Sequence, residues 1–242
     1  MEEENYHVIH SFEKNNWWYR AKKDLFDLIL SRTNRKFNQA LDVGCGVGSN
    51  FQVLKKYSKN VIGIDFFDKS IFYCKPLGYT SLHKMDATNL KFKDNSFDLI
   101  LCSDVLEHLN DIKAIKEITR VLRPHGLLIF SVPSHNYLWG PTDIISKHVK
   151  RYEKPDFYKL FGKKYKIHKL SYWNFAVFLP DLLFISILKL FKRIKKGKNS
   201  LETIPRFMNN LLYFALYFEN RWFVRFNNPQ GVSIVGIVEK IK

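Results

Sequence analysis

The sequence predicts a doubly wound α/β domain, and three observations carry that reading. Apolar strand-like runs alternate with helical patterns between Leu41 and Pro133. A glycine-rich turn, Leu41-Asp42-Val43-Gly44-Cys45-Gly46-Val47-Gly48-Ser49-Asn50, joins the first run to the first helix of that series. The run Phe97-Asp98-Leu99-Ile100-Leu101-Cys102-Ser103 is nearly continuously apolar, as in a parallel strand covered by helices on both faces.

At 242 residues the chain accommodates one large domain, or a domain with an elaboration, and is long enough to bury a substantial core. A hydrophobic fraction of 46% excludes a mainly disordered protein. Lys and Arg outnumber Asp and Glu by 39 to 23, a formal +16, so the surface attracts phosphates, nucleic acid or anionic lipid. Cys45, Cys74 and Cys102 form no C-x-x-C pair, so neither a disulfide framework nor a cysteine zinc site is expected, and no metal is assigned. That usage fits a reducing, cytoplasmic setting. Met1-Glu2-Glu3-Glu4-Asn5 lacks the basic and apolar regions of a signal peptide, so secretion is not expected.

Residues 1–16 read as polar and mobile. Trp17-Trp18-Tyr19-Arg20 then precedes a helical pattern through Leu25, Phe26, Leu28, Ile29 and Leu30, closed by Ser31 and Asn34. The aromatics either pack that helix on the core or cover a ligand as a lid. The strand ending in Leu41 and Val43 delivers the chain to the glycine turn, where Gly44, Gly46 and Gly48 can take positive φ and let a ligand approach the main chain. A plain strand-to-helix turn would look similar. The glycines fall at alternate positions, Ser49 stands where a dinucleotide fingerprint has its third glycine, and no Lys-Ser/Thr closes the loop as in a P-loop.

A helix through Phe51, Val53 and Leu54 leads to a second strand, Val61–Asp65. An acidic residue at that strand end, roughly 20 positions beyond the glycines, is placed to accept from ribose hydroxyls, or else is a turn residue. Ile71–Cys74 read as a short helix and Tyr79–Leu82 as a third strand. The fourth strand, Phe97–Ser103, ends across the crevice from the glycine loop. His108, inside the apolar turn Asp104-Val105-Leu106-Glu107-His108-Leu109, is either structural or a secondary base candidate. Ile112–Leu122 is an amphipathic helix stopped by Arg123-Pro124-His125-Gly126, and Leu127–Pro133 is the fifth strand.

The ordered set of D-x-G-x-G-x-G at Asp42–Gly48, Asp65, Asp86-Ala87, the Phe97-Asp98 strand with Val105-Leu106-Glu107-His108, and Leu122-Arg123-Pro124-His125-Gly126 resembles the class I S-adenosylmethionine-dependent methyltransferases over residues 40–133. The Trp17-Trp18-Tyr19-Arg20 stretch is similar to one subgroup of them. The resemblance implies a Rossmann-like, mostly parallel seven-stranded sheet whose last two strands form an antiparallel hairpin, and S-adenosylmethionine as cofactor. It further implies that Asp42 and Gly44 hold the methionine end, with Cys45 and Gly46 in the same loop and Ser103 opposite. Asp65, with Phe66 beside it, would take the ribose, and Asp86 and Ala87 the adenine. For Asp86 a helix cap or turn is the alternative.

The connection 134–152 is rich in aromatic and titratable groups, and loops this long inside compact domains are usually functional. It follows a C-terminal strand end, the edge on which an acceptor would meet the cofactor. His135, His148 and Asp143 are the catalytic candidates, since neutral imidazole is available as a base near pH 7. Trp18, Arg20, Tyr137, Trp139, Arg151 and Tyr152 are the substrate-side candidates. His148-Val149-Lys150-Arg151-Tyr152 resembles a methyltransferase subgroup often linked to glycan or surface-polymer pathways.

Asp156–Phe161 reads as a helix, Tyr165–Tyr172 as strand six and Val232–Glu239 as strand seven. The roughly 60 residues between those strands exceed a hairpin turn. This insertion holds two apolar helical segments, Phe178–Phe191 and Phe207–Phe226, around Lys192, Arg193, Lys195, Lys196 and Lys198. The first falls short of the about 20 clean residues a spanning helix needs. A helical cap over the acceptor, a patch meeting an anionic membrane surface, and a dimer contact are the three readings of the insertion. The expected organisation is a lid and helix over 1–35, a methyltransferase domain over 36–173 and 231–242, and the insertion over 174–230.

The expected function is in-line methyl transfer to an oxygen or nitrogen acceptor of a small molecule or a glycan- or lipid-linked substrate, in the cytoplasm and peripheral to a membrane. An RNA or other nucleic-acid methyltransferase or binder, and a non-catalytic membrane-associated protein on the same fold, are the alternatives.

Overall fold

The computed structural model describes residues 12–190 and 204–242. Residues 1–11 and the basic run from Lys192 to Lys198 lie outside them. Seven strands, β1 (Phe37–Val43), β2 (Ser58–Asp65), β3 (Ser81–Lys84), β4 (Phe97–Ser103), β5 (Leu122–Pro133), β6 (Tyr165–Trp173) and β7 (Ser233–Lys240), form one sheet in the order β3-β2-β1-β4-β5-β7-β6. The pairs from β3 to β5 are parallel, and β7 runs antiparallel to both β5 and β6. The expected seven-stranded sheet with a closing antiparallel pair is therefore present. Strand order reverses between β1 and β4, and a crevice opens beyond the strand ends at such a switch point.

The helices are α1 (Trp17–Arg32), α2 (Phe51–Tyr57), α3 (Asp68–Cys74), α4 (Asp111–Val121), α5 (Pro141–Ser146), α6 (Lys154–Phe161), α7 (Phe178–Leu190) and α8 (Arg206–Phe223). Both faces of the sheet are covered, for a reason visible in β4. Its period-two side chains send Leu99 and Leu101 to one core, shared with α1, α2 and α8, and Ile100 and Cys102 to the other, shared with α4 and α6. In α4, the Asn110 side chain accepts from Lys113 N at 3.1 Å and starts the helix, and Ala114, Ile115, Ile118 and Val121 form its buried stripe. Burial of each isoleucine contributes on the order of 2 kcal/mol.

Three expectations shift. The third strand begins at Ser81 rather than Tyr79, which leaves the Tyr79 hydroxyl to reach Asp42. The fifth strand begins at Leu122, because the chain leaves α4 already extended and the stop sequence is absorbed into the strand, with His125 at φ 61°. Trp17-Trp18-Tyr19-Arg20 forms the first turns of α1, capped by Asn16, whose side chain accepts from Trp18 N at 2.9 Å.

The insertion differs most from the pattern of an ordinary surface helix. The polar stripe of α8 faces inward. Asn209 accepts from Trp17 N at 2.9 Å, Tyr213 donates to Asp24 at 2.6 Å, and Asn220 accepts from Trp173 Nε1 while donating to the Ala21 carbonyl, both at 2.8 Å. Its apolar stripe, Phe207, Leu211, Phe214, Phe218 and Trp222, points outward, each residue more than half exposed. On α7, Leu179, Leu183, Phe184, Ile187 and Leu190 are likewise more than half exposed. Among the described residues no helix is long and apolar enough to cross a membrane.

Candidate functional site

The glycine loop is braced on the end of β2. Gly44 N and Cys45 N both donate to the Ile64 carbonyl at 2.9 Å, and Gly46 N donates to Asp65 Oδ2 at 2.9 Å. Gly44 sits at φ 69°, and a Cβ there would lie 2.4 Å from Val105 Cγ2, so the turn after β4 presses directly on the loop. Gly46, at φ 55°, has open space where its Cβ would be, which makes it the open side of the cradle. Cys45 is buried against Cys74, their sulfurs 3.7 Å apart.

Three aspartates surround this loop in different states. Asp42 is buried and accepts from Tyr79 OH at 2.6 Å, while its Oδ1 has no partner. Burial pushes its pKa up to about 7 against the lowering effect of the Tyr79 bond, and the Asp65 charge adds to the rise. Asp65 uses Oδ2 for Gly46 N and Oδ1 for Phe67 N, both at 2.9 Å. Phe66 beside it is 61% exposed, unusual for so large an apolar side chain and therefore a free aromatic face at the rim. Asp86 makes a local turn, its Oδ1 accepting from Thr88 N at 2.7 Å and from the Thr88 hydroxyl at 2.8 Å, with Ala87 buried behind it.

Across the crevice, Ser103 Oγ lies 3.0 Å from Ser131 Oγ. Asp104, at φ 55°, accepts from Ser131 Oγ at 2.9 Å and pairs with the buried Lys22 of α1. Glu13, in a helical turn at residues 12–15, accepts from Ser49 Oγ of the glycine loop, and burial pushes its pKa up to about 7. The N-terminal segment thus touches the glycine loop through Glu13. Trp18 packs edge-on against Trp173 at 5.4 Å, and the Arg20 guanidinium lies 3.8 Å from the Tyr213 ring centroid. Both serve helix packing.

The 134–152 connection is organised around Asp143, which is fully buried. Its carboxylate accepts from His148 Nδ1 at 2.8 Å, Arg151 Nε at 2.9 Å and Gly140 N at 2.8 Å. Burial raises its pKa, but the bonds from His148 and Arg151 outweigh that and leave it below the ordinary carboxylate range. Asp143 thereby fixes the orientation of His148 and Arg151. Arg151 also donates to the Ser134 carbonyl at 3.0 Å, a buried structural role. Tyr152 is a core residue, 0% exposed, with its hydroxyl bonded to the Leu106 carbonyl and Asp111.

The two histidine candidates separate. His135 is 3% exposed, sandwiched between Tyr137 and Tyr172 with ring centroids 4.7 and 4.6 Å away, and its Nδ1 meets Glu153 at 3.1 Å. It stands beside the β6 end. His148 instead meets His108, ring centroids 4.8 Å apart, because Val149 N donates to the Glu107 carbonyl at 2.8 Å and stitches the connection to the turn after β4. Trp139 is half-buried, and Tyr137 is 46% exposed. Glu107 is buried with both carboxyl oxygens unpartnered, and burial pushes its pKa well up.

Sequence reasoning missed Lys22, Asp104, Glu13 and Glu107. Lys22 left a trace: it occupies the buried stripe it shares with Leu25, Phe26 and Ile29, where an apolar side chain belongs.

Residues 41–130 match the family described as "Methyltransferase domain". An uncharacterised protein of Methanocaldococcus jannaschii is 34% identical over 161 residues, covering 66% of this chain and 67% of its own. A demethylmenaquinone methyltransferase of Staphylococcus aureus is 32% identical over 178 residues, covering 69% of this chain and 71% of the relative. The chain belongs to the S-adenosylmethionine-dependent methyltransferases. S-adenosylmethionine is the methyl donor of this methyltransferase. A probable S-adenosylmethionine-dependent methyltransferase of Mycobacterium tuberculosis is 27% identical over 130 residues, and the match spans 46% of that longer relative. The fold is also that of the Bradyrhizobium japonicum N-methyltransferase NodS with S-adenosyl-L-homocysteine, at TM-score 0.59 and 15% identity over 96% of this chain and 98% of the other.

Proposed function

We propose that this methyltransferase seats S-adenosylmethionine over the glycine loop and methylates an oxygen or nitrogen acceptor on a lipid- or glycan-linked substrate reached from a membrane surface. The residues fit the donor. Its ammonium and sulfonium are cationic, and Asp42 offers a buried carboxylate oxygen without a partner beside the loop. Gly46 leaves the cradle open. Each Asp65 oxygen accepts one backbone N–H and retains a lone pair for a ribose hydroxyl. Phe66 supplies an exposed aromatic face beside it, and Asp86 keeps Oδ2 for an adenine amino group, with Ala87 N beside it. Ser103 faces the methionine end.

S-adenosylmethionine brings an electrophilic methyl on a good leaving group, so the protein's part is alignment and proton handling. His148 is the better placed of the two histidines. Asp143 holds its Nδ1 proton, which leaves the Nε2 lone pair directed away from that anchor. Ionised Asp42 is the form that meets a cation. Affinity for S-adenosylmethionine accordingly rises as pH rises through about 7, and Asp42→Asn flattens that dependence in isothermal titration. The unliganded protein shows the opposite trend, since a carboxyl whose folded pKa is raised loses stability as pH rises from its ordinary range to about 7.

The membrane part of the reading rests on one observation, the outward apolar faces of α7 and α8 joined by a basic run. α7 packs on the acceptor-side connection: Lys189 Nζ donates to the Tyr137 carbonyl at 2.6 Å, and Ile185 is buried at Gly140. A shallow apolar groove between Phe175, Phe218 and Trp222 continues the surface. Interfacial helices insert such faces while basic residues meet anionic headgroups. In flotation assays the protein is expected to rise with phosphatidylglycerol-containing vesicles and much less with phosphatidylcholine alone, and Phe214→Ser/Phe218→Ser is expected to lose the association. No association with either vesicle, or an unchanged one in the double variant, overturns the membrane reading.

A further inference from the structure

We infer that Glu107, His108 and His148 form a binding site for a first-row divalent transition cation on the acceptor side of the crevice. One ligand atom from each lies within 4.8 Å of the others, although His148 is 40 positions along the chain from His108. Two features set this group apart from a chance cluster. Glu107 is 1% exposed, and neither carboxyl oxygen has a hydrogen-bond partner. Leaving such a group unpaired is costly, and a bound cation removes that cost.

The second feature is how the imidazoles are held. His148 is anchored by Asp143 at Nδ1, at 2.8 Å, leaving Nε2 for a ligand. The His108 ring stands across from it, ring centroids 4.8 Å apart. A second-nitrogen bond to a carboxylate or a carbonyl is how metal-ligating histidines are oriented. The carboxylate–histidine arm at Asp143 is built before any ion arrives.

The other carboxylates around the site already have cationic partners. Lys22 pairs with Asp104, Arg151 pairs with Asp143, and Lys150 pairs with Asp111. Glu107 is the carboxyl of this group without a hydrogen-bond partner among the described residues, and a cation bound there displaces its proton. Two imidazoles and one carboxylate suit zinc, cobalt, manganese or iron better than magnesium or calcium, which favour all-oxygen sites. Bonds of about 2.1 Å draw the three ligand atoms inward and leave at least one coordination position for a non-protein ligand.

Building on the acceptor reading above, that position takes an acceptor hydroxyl. Coordination lowers its pKa, the proton departs to solvent, and the resulting oxyanion forms the O–CH3 bond as the CH3–S bond breaks. The electron pair of that bond stays on sulfur, giving a neutral thioether, so the net products are the methyl ether, S-adenosylhomocysteine and one proton. His148 Nε2 then acts as a ligand, and the proton requires no protein base.

Co2+ serves as the probe, added to the full-length protein after treatment with a chelator. Equilibrium dialysis is expected to show one tightly held Co2+ per chain, with the visible d–d absorption of a four- or five-coordinate ion. His108→Ala and Glu107→Gln each lose that absorption and weaken binding at least about tenfold, the lower end of what outer-shell changes alone cost. His168→Ala, at the unrelated Glu239 pair, leaves both unchanged. Titration with S-adenosylmethionine reports separately: wild-type affinity retained in Glu107→Gln shows an intact fold and cofactor site. Failure of wild type to retain Co2+, or equal retention in His108→Ala and Glu107→Gln, overturns the metal site and leaves the methyl-donor assignment standing.

Discussion

Asp65→Ala lowers the affinity for S-adenosylmethionine about 100-fold or more, while the protein keeps its fold. Two charge-assisted hydrogen bonds to ribose hydroxyls at about 1.5–3 kcal/mol each set that scale. The loss has a second source. Asp65 bridges Gly46 N and Phe67 N, so its removal frees the glycine loop and the segment carrying Phe66 together. Asp65→Asn keeps one acceptor oxygen and is expected to fall between the two. Isothermal titration gives the affinities, and circular dichroism checks the fold. An affinity unchanged in Asp65→Ala removes the ribose role.

Asp143→Ala destabilises the protein by about 3–5 kcal/mol, the usual cost of breaking one side of a buried ion pair. Arg151 is left buried with the Ser134 carbonyl alone, Gly140 N loses its acceptor, and His148 loses its anchor. For a chain of this size the midpoint of thermal unfolding falls by roughly 10 °C. Adding Arg151→Met restores part of the loss, because the uncompensated guanidinium goes with it. The pH dependence has a defined sign. Asp143 has a depressed pKa, so its contribution is present above the ordinary carboxylate range and is lost as pH falls through the folded value. The acid limb of a stability profile is therefore shallower in the variant than in the wild type.

The glycine loop and the strand that faces it were legible because their signals are local. Glycines at alternate positions, an acidic residue at a strand end, and the period-two burial of β4 are each written within about ten residues of sequence. The 134–152 connection depends on contacts distant in the chain. Tyr152 sits in a polar stretch and reads as exposed, yet it is buried because its hydroxyl finds Leu106 and Asp111, 46 and 41 positions away. α8 shows the same limit. It reads as an apolar segment, but which of its faces turns inward was decided by partners on α1, 192 positions from Asn209 and 199 from Asn220. Arg20 and Trp18 were assigned to a substrate because aromatic and cationic side chains suit ligands, and they suit helix packing equally well. Glu107 was noticed only as part of a motif, since nothing local shows that its carboxyl is buried without a partner.

The position of β7 between β5 and β6 bears on how the chain is synthesised and folded. β5 is complete at Pro133, but its neighbour on that side begins only at Ser233. During translation the β5 edge stays unpaired while the whole 134–152 connection, β6 and both insertion helices emerge. Unpaired edges are templates for pairing with another chain, and pairings of such long sequence separation form slowly. A ribosome paused within the insertion would hold a half-sheet with one open seam and an apolar helix already exposed. That nascent species, more than the finished protein, is the one that would need a chaperone.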